Sequence, residues 1–120
     1  MAIENVRLSE KAKTQLTKIK AKTGIGQWNV LCRWAFCLSL KEKTIPPHED
    51  IITDSNVEMT WKTFGGSDQD LYYALLRQRL VNDGISLSSE NVLFYFKLHL
   101  HRGISYLSQK VNSIENLFDL

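Results

Sequence analysis

The stretch IENVRLSEKAKTQLTKIKAKTGIGQWNVLCRWAFCLSLKEK, residues 3–43, decides the architecture. It opens with an alternating segment, residues 3–8, in which Val6 and Leu8 share one face and Ile3, Asn5 and Arg7 the other. Such a strand is too short to stand alone and needs a partner, for which the same strand of a second subunit is one candidate. Ser9 then supplies a helix N-cap, and Glu10 places a carboxylate in the first turn, where the helix dipole favours it. A first helix runs to about Thr23 on the apolar stripe Ala12, Leu16 and Ile19, and Gly24 ends it in a left-handed conformation. Lys11, Lys18 and Lys22 flank one side of that stripe, Lys13 and Lys20 the other.

A second helix spans roughly residues 27–40. Leu31, Trp34, Ala35 and Leu38 form its expected stripe, but Val30, Cys32, Phe36, Cys37 and Leu40 extend the apolar surface almost all round. A helix apolar on every side must be buried on every side, which is difficult near the end of a 120-residue chain. Part of this surface is therefore expected to face another subunit.

Charge divides the chain at the same place. Residues 1–43 hold nine Lys or Arg against three Asp or Glu, and residues 44–120 hold six against ten. The net charge of +2 thus hides a basic head on an acidic body, a division that points to a polyanion as partner, nucleic acid first. A lysine-edged helix can equally be a solvated face that keeps a protein soluble. With 43% hydrophobic residues the composition is that of a globular protein, expected to form a single domain over 1–120. No apolar run reaches the roughly 20 residues of a membrane span, and Arg7, Glu10, Lys11 and Lys13 interrupt any signal-peptide core. Cys32 and Cys37 fall on different helix faces, a poor geometry for a disulfide, so a reduced cytoplasmic protein is expected.

Beyond residue 43, Pro46-Pro47 bars helix, and a short apolar piece over 57–64 ends at Gly65-Gly66. A third helix is expected with Ser67 as N-cap and Asp70 completing a capping box, stopped by Gly84. A fourth begins near residues 88–90 and runs towards Gly103, with one short helix in the tail. Residues 96–101 also alternate with period two, but the longer uninterrupted pattern favours helix.

Little of this resembles catalytic machinery. His99 and His101, two apart on a helix, point about 200° apart and cannot grip one ion, so no metal site is expected with them or His48. Histidines on a basic surface, or one bonded to a carbonyl, are the better account. Gly65-Gly66-Ser67 precedes a helix as a phosphate cradle would, but Asp68 and Asp70 would repel an anion. Gly24-Ile-Gly26 is too short for a dinucleotide fingerprint. The apolar surroundings of Cys32 and Cys37 raise a thiol pKa and argue against a nucleophile. No enzyme and no cofactor is expected.

Strand, helix, glycine turn and helix is also the layout of ribbon-helix-helix DNA-binding proteins, in which outward residues of a paired ribbon, here Asn5 and Arg7, would face DNA. Longer segments carry a closer likeness: residues 6–13, Thr23-Gly-Ile, 28–37, 60–66 and 98–107. By these the chain resembles the DndE family, the small component of the bacterial DNA phosphorothioation (DNA sulfur modification) machinery, over nearly its whole length. The resemblance implies a mainly α fold with a short N-terminal strand and a ribbon-helix-helix-like first half, assembled as a homotetramer. It implies non-catalytic binding of double-stranded DNA, nicked duplex preferred. It also implies work beside a cysteine desulfurase, a reductase-like sulfurtransferase and an ATPase. Arg7, Lys11 and Lys13 match basic positions of the family; Lys18, Lys20 and Lys22 are added from the helical wheel.

Two other readings compete. A structural adaptor would dock the sulfur-transfer and ATPase subunits through an aromatic surface of Trp61, Phe64, Tyr72 and Tyr73, without touching DNA. An autoregulatory repressor would need base contacts that only Asn5 and Arg7 could supply, thin for such specificity. A role in phosphorothioation-linked restriction stays open.

Overall fold

In the computed structural model, which describes residues 2–120, strand β1 (Asn5–Arg7) leads into helix α1 (Glu10–Thr23) and helix α2 (Trp28–Lys41). Strand β2 (Glu58–Thr60), the short helix α3 (Trp61–Gly65), α4 (Gln69–Asn82) and the long α5 (Ser89–Lys110) follow, with a 3-10 turn over Ile114–Asp119. The mainly helical class and the strand-helix-helix opening are as the sequence implies.

The partner of β1 is not another subunit but β2 of the same chain, paired antiparallel with Asn5 opposite Thr60 and Arg7 opposite Glu58. Backbone bonds extend the ladder at both ends, Leu8 N–H to Val57 O at 3.1 Å and Trp61 N–H to Glu4 O at 2.8 Å. Val6 and Leu8 turn inward as expected; Ile3, assigned outward, is buried because it precedes the paired stretch and need not keep its alternation.

α1 is built as its sequence dictates. The Ser9 hydroxyl accepts from Ala12 N–H, Gly24 closes the helix at φ +77°, and its N–H reaches Lys20 O. Ala12, Leu16, Ile19 and Thr23 are buried against a core shared with α5. α4 departs from expectation: Ser67 is not its N-cap, because Gly66–Asp68 form a 3-10 turn first and Asp68 takes the cap position without a side-chain bond. Gly84, at φ +74°, does stand just past its end.

Gly103 does not stop α5, which continues through it to Lys110 and absorbs the start of the supposed tail helix. A Cβ at Gly103 would lie 1.7 Å from the Ala35 carbonyl oxygen, so this glycine exists to let α5 cross α2 at backbone contact. Below the crossing Phe36, Phe64, Trp61 and Phe96 pack ring to ring, with Phe64 at 4.9 Å from Trp61 and 5.3 Å from Phe96. Trp61 and Phe64 are therefore core, not a docking surface, and only Tyr72 and Tyr73 of that proposed set reach solvent.

Polar groups lock the other end of the seam. Arg102 donates from Nε to Ser39 Oγ (2.9 Å), from Nη2 to Ser39 O (2.9 Å) and from Nη1 to Thr44 O (2.9 Å). Arg79 donates to Leu40 O and Thr44 O and pairs with Asp83 at 2.8 Å. Two guanidinium groups thus bind carbonyls of the last turn of α2 and of Thr44 just beyond it, where a cation also suits the dipole.

Candidate nucleic-acid interface

The six cations singled out by sequence fall on α1 and the strand before it. Successive helical residues turn by about 100°. Lys11, Lys18 and Lys22 accordingly form one row and Lys13 and Lys20 another, with the rows on opposite flanks of the buried stripe. Lys11, Lys18 and Lys22 are exposed, Lys13 and Lys20 partly so. Between the rows the outward surface is Glu10, in the first turn, followed by the short side chains Thr14, Thr17 and Ala21.

The ion pairs among the described residues are Arg79–Asp83 and the exposed His48–Asp50, so none of the six cations is held by a carboxylate. Arg7 is exposed but donates from Nε to Ser55 O at 3.0 Å, which fixes its direction. Lys20 rests its ammonium over the Trp28 ring, 4.0 Å from the centroid. Trp28 begins α2, whose first turn has neither a side-chain cap nor an acidic residue. Beside it a groove of about 480 Å³ includes Lys13, Gly26, Trp28, Asn56 and Glu58 in its lining. Trp28 is the feature that sequence reasoning passed over, since its spacing to Leu31 and Ala35 reads as core. Its place at the helix start, after Gly24-Ile-Gly26, was the available signal, because helix ends stay wet.

The chemistry-bearing residues elsewhere are used structurally. His101 donates from Nδ1 to Lys97 O (2.8 Å) and accepts from Ser9 N–H (3.2 Å), which defines a neutral tautomer. His99 is fully buried, with Nδ1 2.8 Å from Ser39 Oγ. The same oxygen accepts from Arg102 Nε, and His99 Nε2 has no hydrogen-bond partner among the described residues. Burial, with Arg102 and Arg79 adding like charge, pushes the His99 pKa down to about 3. The two imidazoles point into different surroundings, and no group of metal-ligating side chains occurs among the described residues. Cys32 is buried and its thiol is pushed up to about 12; Cys37 is exposed, and desolvation raises it too, against the pull of Arg33. No helix of the described residues is long and apolar enough to cross a membrane.

One surface remains unexplained by the core. On α2, Val30, Trp34 and Cys37 recur at i, i+4, i+7 on the outward side and, with Arg33 and Tyr72, line a shallow groove of about 350 Å³. Leu71 and Leu75 of α4 are exposed as well.

Strand, two helices, an intrachain antiparallel strand pair and, on each flank of α1, a row of cations without a carboxylate partner among the described residues define a class, the small, mainly helical protein with a basic first helix. Within it the chain belongs to the DndE family, described as DNA sulphur modification protein DndE, whose family model matches residues 5–115. Among solved structures it is similar to DndE from Escherichia coli B7A, involved in DNA phosphorothioation modification. That match has 23% identity and a TM-score of 0.74, covering 89% of this chain and 98% of that one. A DndE mutant with glycines replaced by lysine, involved in DNA phosphorothioation, is similar at 20% identity and a TM-score of 0.68, over 88% of this chain and 97% of that one. At these identities the likeness to the solved structures is one of fold. No curated protein matches the chain.

Proposed function

We propose that the chain, acting as a single DndE-like domain over 1–120, is the non-catalytic DNA-binding component of a bacterial DNA phosphorothioation machinery. It works in the cytoplasm and binds the duplex backbone through Arg7, Lys11, Lys13, Lys18, Lys20 and Lys22. The observation that carries this reading is the freedom of the α1 cations: five lysines on one helix, none tied to a carboxylate among the described residues. An ammonium on a flexible stem suits sequence-independent contact with phosphate. Membership in a DNA sulphur modification family supplies the context.

Nicked duplex is the favoured form, because a nick lowers the cost of bending DNA onto a basic surface. Two opposite lysine rows also suit an assembly in which several α1 helices line one DNA path. We propose a homotetramer that covers the outward stripe of α2, working beside the cysteine desulfurase, sulfurtransferase and ATPase. Alanine at Lys13 and Lys20 together tests the DNA reading. It should flatten the salt dependence of binding while circular dichroism stays unchanged; an unaltered slope would contradict the assignment.

The adaptor reading keeps one specific support, the exposed Trp34, Leu71 and Leu75. Charge reversal on α1 separates the two. Partner proteins still captured by a variant that no longer binds DNA would assign docking to the apolar face and DNA to the basic one.

A further inference from the structure

Phosphate neutralisation by α1 leaves the groove at the α1–α2 turn without a role. The groove measures about 480 Å³, in the range of small-ligand sites, and Lys13, Trp28, Asn56 and Glu58 are among its lining residues. Gly26 on its rim has open space where a Cβ would stand. Trp28 is only partly buried, and the Lys20 ammonium sits over its ring at 4.0 Å.

We infer that this groove takes an unpaired nucleobase of DNA, stacked on Trp28, with Lys13 and Lys20 meeting the flanking phosphates. The inference rests on the DNA-binding reading above and adds the feature of the DNA that is recognised. An indole plane accepts any base, since every base has a π-face. The Lys20 ammonium can leave the ring: an exposed cation–π contact is weaker than base–aromatic stacking, and the freed ammonium gains a phosphate. Glu58 decides what enters. Its carboxylate disfavours a phosphate inside the groove, yet it accepts hydrogen bonds from the amino and imino groups of an open base edge. The Asn56 amide offers both a donor and an acceptor to the same edge. In an intact duplex that edge is paired and the base is stacked on its neighbours, so only a gap or flap presents it.

The test uses the full-length protein and three labelled probes of one sequence: intact duplex, the duplex with a short single-stranded thymidine gap, and free oligothymidylate. Trp28→Leu keeps an apolar side chain and removes the π-face; Trp28→Phe keeps a smaller π-face. Trp28→Leu should weaken binding to gapped duplex roughly tenfold, about 1.4 kcal/mol, while intact duplex binds as before and Trp28→Phe keeps the gap preference. Wild-type affinity of Trp28→Leu for gapped duplex, or an equal loss on gapped and intact duplex, overturns the proposal. Failure of the unmodified protein to bind any probe overturns the DNA-binding reading itself, and with it this one. Should Trp28→Leu not fold, photo-crosslinking of the unmodified protein to 5-iodouracil in the gap decides: a crosslink at Trp28 supports the groove, and crosslinks only elsewhere contradict it.

Discussion

The seam between α2 and α5 and the outer rim of α1 use side chains on opposite terms. In the seam, cationic groups are spent on the fold: Arg102 and Arg79 each hold carbonyls at the end of α2, at 2.7–2.9 Å. On the rim, Lys11, Lys18 and Lys22 are exposed and pair with no carboxylate among the described residues, and Lys20 leans on an indole. The sequence assigns a charge to both sets, but charge alone does not separate a structural cation from an available one. Partner geometry does. A guanidinium with several well-placed carbonyl acceptors is committed, whereas an unpaired ammonium can meet a ligand at little cost in fold.

The contrast predicts that seam substitutions change stability and leave DNA binding alone, and that rim substitutions do the reverse. Gly103→Ala should give the largest effect. Its Cβ would meet the Ala35 carbonyl at 1.7 Å, so urea unfolding should show a loss of about 3 kcal/mol, despite the helical preference for alanine. Arg102→Met removes the donor from Ser39 O and Ser39 Oγ and should cost about 2 kcal/mol with unchanged affinity for DNA. A weakened affinity at full occupancy of the folded state would break the division between the two regions.

Acid sharpens it further. The His99 pKa is about 3 in the fold, against an ordinary 6.5, because burial and the nearby Arg102 and Arg79 disfavour its cation. Below pH 6.5 the unfolded chain therefore binds a proton that the folded chain refuses. The stabilising effect is complete above about pH 6.5 and is lost progressively as pH falls towards 3, at up to about 1.4 kcal/mol per pH unit. His101, also lowered by burial, acts in the same direction. Unfolding free energies measured across this window should show a shallower acid slope in His99→Gln. The smallest stability effect belongs to the rim: Lys13→Ala with Lys20→Ala should shift stability by no more than about 0.5 kcal/mol.

Legibility from sequence follows the range over which each feature is determined. α1 was readable because its cap, its stripe and its closing glycine lie within sixteen consecutive residues, Ser9 to Gly24. The partner of β1 was not, since β2 lies far along the chain and neither strand exceeds three residues. The continuation of α5 past Gly103 was not legible for a similar reason: the requirement for glycine comes from Ala35 across the seam, and nothing adjacent in sequence announces it. Ser67 carried a cap signature that a competing 3-10 turn displaced by one residue. Of the candidate interface, the two lysine rows could be drawn from helical periodicity alone. The stacking of Lys20 on Trp28 depends on the path of the turn from Gly24 to Gln27, which periodicity does not describe.

Equilibrium binding of the purified protein to intact and nicked duplexes of one sequence, across a salt series, addresses the role of the α1 cations most directly. If an assembly neutralises about five phosphates, log K falls against log salt with a slope of about −4 to −5, and the nicked duplex binds tighter. Affinity that is negligible, or indifferent to salt, would contradict a phosphate-binding rim and leave the lysines of α1 as a solvated face.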